Sequence, residues 1–166
     1  MKLHIGPLTE EQIRTFMTWE YVQPYDIYNL SSAEGEETIN FFLDPQNGYF
    51  AIAGEGGELL GFCNFGADAQ VPGGDYTDDG IDIGMGLRPD LTGKGHGREY
   101  AAVVFRFAGE QYPQQKQRVT IAEFNQRAQR LCEQFGFVAT ARFIKEGNGR
   151  PFIIMVRPAQ PDQEST

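Results

Sequence analysis

The sequence predicts an α/β domain with a central, mostly antiparallel mixed sheet flanked by helices, and three observations carry that prediction. Tyr49 to Ala53 and Leu59 to Gly66 read as two apolar strands joined by the short turn Glu55-Gly56-Gly57-Glu58, an antiparallel hairpin. Ile81 to Leu87 alternates as a strand and runs through a glycine-rich loop into a helix. Phe137 to Lys145 and Phe152 to Val156 form a closing hairpin around Gly147-Asn148-Gly149. Antiparallel strands followed by strand, helix, strand, helix and hairpin describe a mixed sheet with helices on its faces, not a doubly wound parallel one.

The remaining elements follow from local signals. Lys2 to Ile5 alternates as a short strand, and Thr9-Glu10-Glu11-Gln12 is a capping-box pattern that starts a helix carrying Ile13, Phe16 and Met17. Trp19 to Leu30 is aromatic and irregular. A second helix is expected from about Glu34 to Leu43, released at Asp44-Pro45. The polar, turn-rich stretch Gln70 to Gly80 reads as a loop between strands. In the strand after it, Ile81, Ile83, Met85 and Leu87 share one face and Asp82, Gly84 and Gly86 the other. A helix from about Gly95 to Glu110, a strand Arg118 to Ala122 and a helix Asn125 to Phe135 lead to the closing hairpin. We expect one domain over residues 1–157 and a flexible tail over 158–166.

Composition narrows the function. At 166 residues the chain can bury a core without staples, and two cysteines and two histidines offer neither a disulfide framework nor metal-ligand spacing. Lacking a long apolar run or a secretory signal pattern, it reads as a cytoplasmic protein without a membrane partner. A net charge of -9 argues against a nucleic-acid partner, because phosphate backbones require a basic surface. The charge is also uneven. Up to Gly80, fourteen acidic residues face only Lys2 and Arg14, a balance of -12, whereas from Ile81 onward nine acidic residues meet twelve basic ones, a balance of +3. That split suits a cation on one half and an anion on the other, although solubility alone explains it as well.

The anion has an obvious place. Gly93-Lys94-Gly95-His96-Gly97 is neither a Walker loop, since Arg88 and Gly95 occupy positions that motif reserves, nor a dinucleotide fingerprint, since Pro89 stands where a third glycine belongs. What remains is a proline turn and three alternating glycines entering a helix whose N-terminus carries roughly half a positive charge. Pyrophosphate suits such a cradle, with Lys94 adding charge at the rim and His96 a further donor. A glycine turn that merely caps the helix is the simpler alternative.

The stretch Leu87-Arg88-Pro89-Asp90-Leu91-Thr92-Gly93-Lys94-Gly95-His96-Gly97 resembles the acyl-CoA pyrophosphate motif of the GNAT family of N-acetyltransferases, and Asn125 to Phe137 resembles its second cofactor segment. Within the family the chain is similar to the enzymes that acetylate ribosomal-protein N-termini. The resemblance implies the acyl-CoA N-acyltransferase fold and direct transfer of an acetyl group from acetyl-CoA to a primary amine of a cationic small molecule or a peptide N-terminus. It also implies that the backbone of Met85 and Leu87 meets the pantetheine arm and thioester. Gly93, Lys94, Gly95, His96 and Gly97 would hold the pyrophosphate, and Asn125, Ala128 and Cys132 would line the cofactor cleft. Two positions depart from the pattern: Thr92 replaces the usual Arg or Gln, and Cys132 replaces the Tyr that many members use to protonate the departing thiolate. That second departure supports the rival reading of a non-catalytic acyl-CoA sensor.

Transfer to an amine requires a base and an oxyanion donor. Asp82 is the candidate base, acting through one water, with Glu20, Asp26 and Asp79 as alternatives and a solvated loop anchor as the plain reading of Asp82. Cys63 reads as a core thiol. The segment Trp19 to Tyr28 and the loop Gly73 to Asp79, rich in aromatics and carboxylates, are expected on the acceptor side, where they suit an ammonium group. Monomer and homodimer stay equally open.

Overall fold

The computed structural model describes residues 2–30 and 35–159. Strand β1 (His4–Pro7) precedes helix α1 (Glu10–Phe16). The helix starts where the capping box places it: the Thr9 hydroxyl accepts from the Gln12 N–H at 3.2 Å and the Gln12 side chain accepts from the Thr9 N–H at 3.0 Å. Helix α2 (Glu36–Leu43) stops at Asp44, before Pro45; its expected start at Glu34 lies outside the described residues. Strands β2 (Tyr49–Ala53) and β3 (Leu59–Phe65) pair antiparallel, and the Gly54 N–H donates to the Glu58 carbonyl at 3.0 Å to close the hairpin.

Strand β4 (Ile81–Leu87) leads to α3 (Gly97–Gln111), which begins later than the expected Gly95 because Gly95 sits at φ +82°, outside the helical region. Next come β5 (Gln117–Ala122), α4 (Gln126–Gln134), β6 (Val138–Ile144) and β7 (Pro151–Arg157). Of the expected flexible tail over 158–166, residues 160–166 lie outside the described residues.

All seven strands join one sheet in the order β1-β2-β3-β4-β5-β7-β6. The β4/β5 pair is parallel, with Ile81 opposite Gln117 and Asp82 opposite Arg118, while β1/β2, β2/β3, β5/β7 and β6/β7 are antiparallel. The mostly antiparallel mixed sheet expected from the sequence is therefore present. No helix among the described residues is long and apolar enough to cross a membrane.

The chain divides into two compact units, Met1–Asn64 with Met85–Val103, and Phe65–Gly84 with Val104–Thr166. In the first, Ile13, Phe16, Trp19, Ile39 and Phe42 form a buried cluster against which Leu8, Tyr49 and Phe62 pack. Its centre is aromatic: Phe16 meets Phe42 edge-on at 5.1 Å and Phe62 at 4.7 Å. In the second unit, Val104, Phe105 and Ala108 of α3 are buried, as are Cys132, Phe137, Ile154 and Met155. Phe105 packs on Phe135 at 5.2 Å and Phe137 at 4.9 Å.

Candidate functional site

The glycine loop is built from β4 outward. The Arg88 N–H donates to the Leu60 carbonyl at 2.9 Å and ends the strand. The Arg88 guanidinium grips Asp90 through Nε at 2.6 Å and Nη2 at 3.1 Å, which holds the Asp90 carboxyl below the usual carboxylate range. A single 3-10 turn, Pro89–Leu91, hands the chain to Gly93 and Gly95, both with positive φ. A Cβ on Gly95 would meet nothing within 4 Å, so open space lies in front of the loop and the backbone conformation is what requires glycine.

The N–H groups from Gly93 to Arg98 donate to no protein acceptor among the described residues, whereas those of Glu99 and Tyr100 both reach the His96 carbonyl, at 3.1 and 3.4 Å. Gly93, Lys94 and Gly95 are exposed and His96 is half-buried. A run of donors without a protein acceptor among the described residues, at the N-terminus of a 15-residue helix, could hold an anion, which there would gain both hydrogen bonds and the helix dipole.

Along β4, Met85 and Leu87 are half-buried. Gly86 lets the strand lie against the Phe62 ring, because a Cβ there would come within 2.5 Å of it. The Leu87 carbonyl accepts from the Tyr21 hydroxyl at 2.5 Å, a contact across 66 residues that the sequence did not signal.

Asp82 lies at the other end of β4 and is only 4% exposed, which removes the solvated reading of this carboxylate. Arg118 Nε donates to Oδ1 at 2.6 Å and Nη2 to Oδ2 at 2.8 Å, and Gln70 Nε2 donates to Oδ2 at 2.8 Å. The remaining Arg118 fork atom, Nη1, holds the Asp78 carbonyl at 2.9 Å, and the guanidinium lies 5.1 Å from the Tyr76 ring centroid. The hydrogen bond to Asp82 raises the Arg118 pKa further above its usual value. These residues, with Asp78 and Asp79, line a concavity of about 590 Å³. A general base needs a lone pair for the incoming proton. Three donors occupy the Asp82 carboxylate, two on Oδ2 and one on Oδ1, which leaves a single acceptor site on Oδ1.

On α4, Asn125 is the N-cap, its Oδ1 accepting from the Ala128 N–H at 3.1 Å. Cys132 is buried, and burial pushes its thiol up to about 12 against a weaker opposing pull from Arg157. Arg157 was not anticipated: its Nε donates to Gln117 Oε1 at 2.8 Å, its Nη1 to the Phe135 carbonyl at 2.9 Å, and it lies about 5 Å from the Phe105 and Phe137 rings. It thereby holds the C-terminal end of α4, where a cation complements the helix dipole. Cys63 is fully buried with its thiol pushed up to about 12, as fits a core residue.

The segments expected beside the acceptor are partly structural. Trp19 is buried in the first unit, and Val22 is exposed. Asp75 closes its own turn by accepting from the Thr77 hydroxyl at 2.6 Å and its N–H at 3.0 Å, which lowers its pKa.

A sequence model of the Acetyltransferase (GNAT) family matches residues 11–137. Searching the curated proteins gives no match. Among solved structures, the fold is similar to a chimera of the spermidine N-acetyltransferase SpeG from Vibrio cholerae and hSSAT, with TM-score 0.69, 17% identity and 96% of each chain covered. It is similar to yncA, a putative acetyltransferase from Salmonella typhimurium solved with its cofactor acetyl-CoA, with TM-score 0.68, 18% identity and 98% of this chain and 96% of that one covered. A putative acetyltransferase from Acinetobacter baylyi gives TM-score 0.67 and 17% identity with 97% of each chain covered.

Proposed function

The chain belongs to the Acetyltransferase (GNAT) family, and from that premise we propose that it transfers an acetyl group from acetyl-CoA directly to the primary amine of a cationic small molecule or a peptide N-terminus. The observation that carries this reading is the row of N–H donors from Gly93 to Arg98 without a protein acceptor among the described residues, set at the start of α3 with positive φ at Gly93 and Gly95. A pyrophosphate fits that donor set, and the open space in front of Gly95 leaves room for it. We take residues 1–157 as one acetyltransferase domain acting in the cytoplasm.

Acetyl-CoA supplies an activated thioester when bound. The backbone from Gly93 to Gly97 grips its pyrophosphate, with Lys94 adding a cation at the rim and His96 a donor. On β4 the backbone of Met85 and Leu87 receives the pantetheine arm and offers a donor to the thioester oxygen. On α4 we assign Asn125, Ala128 and Cys132 to further cofactor contacts. Asp82 stays in the reading as the charged residue at the start of β4. Its hydrogen bonds to Arg118 and Gln70 favour holding the strand and the 75–79 loop in place, with solvent taking the amine proton.

The acidic N-terminal half favours an ammonium-bearing acceptor. Spermidine acetyltransferases among the structural neighbours point the same way for the acceptor class. Purified protein given acetyl-CoA and a panel of polyamines, neutral amines and peptides should release free CoA, read with a thiol reagent, only when an amine is present. Cationic acceptors should turn over best, and their KM should rise with ionic strength. Tight acetyl-CoA binding with no amine-dependent release would instead establish the sensor reading, and better turnover of neutral than of matched cationic amines would reject the cationic acceptor.

Cys132 is assigned to the cofactor wall and not to proton transfer. A thiol pushed up to about 12 is a weaker acid than a free thiol, so handing its proton to a departing thiolate runs uphill. Cys132→Ala should therefore keep kcat within roughly tenfold, a barrier change of at most about 1.4 kcal/mol, with any larger loss appearing in the acetyl-CoA KM. A thousandfold fall in kcat with folding and cofactor affinity intact would make Cys132 the acid.

A further inference from the structure

We propose that Tyr21 is a displaceable cap on the cofactor strand, a positioning residue that ties occupancy of β4 to the placement of the aromatic segment Trp19 to Tyr28. The inference rests on the reading of β4 as the strand that receives the pantetheine arm. Its geometry lies within one compact unit. Because the trans peptide points the Leu87 carbonyl opposite to the Arg88 N–H, and that N–H donates to Leu60 on β3, the Leu87 carbonyl faces away from β3. It is thus an acceptor that β3 leaves unused, of the kind an extended ligand with amide groups pairs with.

The Tyr21 hydroxyl now takes that position at 2.5 Å. Burial pushes its pKa up to about 12, so the phenol remains a neutral donor across the working pH range. A second bond, from the Tyr21 N–H to Asn29 Oδ1 at 2.8 Å, closes the segment into a loop and ties the backbone of Tyr21 to Asn29.

Two residues upstream, Trp19 is the only tryptophan, and it stacks on Phe62 at 6.4 Å, the ring against which Gly86 of β4 lies. Trp19 is therefore a built-in reporter of the segment. An amide N–H of the pantetheine arm and the Tyr21 hydroxyl compete for one acceptor, so cofactor binding releases Tyr21 and resets the segment.

Calorimetry on the full chain tests this with CoA and with adenosine 3′,5′-bisphosphate, which lacks the pantetheine arm. Tyr21→Phe removes the competing donor and should tighten CoA binding by about three- to tenfold, the equivalent of one hydrogen bond. Affinity for the bisphosphate should not change, a split that a general structural effect of the substitution would not produce. In the wild-type chain the Trp19 emission maximum should shift along the calorimetric CoA isotherm. Equal or weaker CoA binding by Tyr21→Phe overturns the cap. So does a flat Trp19 signal while wild-type protein binds CoA. Absence of CoA binding by the wild-type chain overturns the acetyltransferase reading as well, which separates the two failures.

Discussion

Gly95→Val is expected to weaken CoA binding at least about 100-fold, roughly 2.7 kcal/mol, while leaving a folded protein. The native φ of +82° is strained for a β-branched side chain, so about 1–2 kcal/mol of stability should go with it, a loss of several degrees in melting temperature. The larger effect falls on the ligand, because the protein puts nothing within 4 Å of a Cβ at this position and the new side chain enters the space offered to the anion. Gly147→Val is the matched control. Gly147 has φ +100° and equally open surroundings but lies in the β6–β7 turn, so the substitution should reproduce the strain and leave CoA affinity alone. Calorimetry and thermal melting on both variants decide the matter, and CoA affinity unchanged in folded Gly95→Val would remove the phosphate loop from the proposal.

The Asp82–Arg118 pair carries the largest expected stability effect. Removing one partner of a buried ion pair strands the other without compensation, so Asp82→Ala should destabilise the fold by about 3–5 kcal/mol in urea unfolding at neutral pH. Arg118→Met should fall in the same range, because Asp82 would keep only Gln70 and the Asp78 carbonyl would lose its donor. Asp82→Asn then separates structure from chemistry. If Asp82 holds the strand, the folded fraction of the Asn variant keeps kcat within about tenfold and the pH-rate profile keeps its shape. A loss of more than about a hundredfold in kcat, together with disappearance of the fall in rate at low pH, would restore Asp82 as the base.

Most of the elements were legible because their signals are local. The Thr9 to Gln12 capping box, the Glu55 to Glu58 turn and the Gly147 to Gly149 turn each act within a few residues, and each lies where the sequence put it. The start of α3 was misjudged by the same locality. Periodicity finds the apolar positions of a helix, but a glycine that breaks into positive φ just before it looks like part of the pattern. The glycine run itself was readable for the converse reason: glycine is the residue that positive-φ positions such as 93 and 95 favour.

By itself, then, the sequence determined the order of elements, the mixed sheet and the loop that suits an anion, since short-range dihedral preferences and apolar periodicity are written into neighbouring residues. Only the tertiary structure decided what the polar side chains do. Alternation put Asp82 on a definite strand face, but its partner is Arg118, 36 residues away, because β5 lies beside β4 in a parallel register that places the two opposite each other. Aromatic composition marked Trp19 to Tyr28 as noteworthy without showing that Tyr21 would cap the carbonyl of Leu87. Nothing near Arg157 announced that it would brace the end of α4 against two phenylalanine rings. Such partners are chosen by strand register and by the demand that every buried polar group find a hydrogen bond, and both exist only once distant segments have packed together.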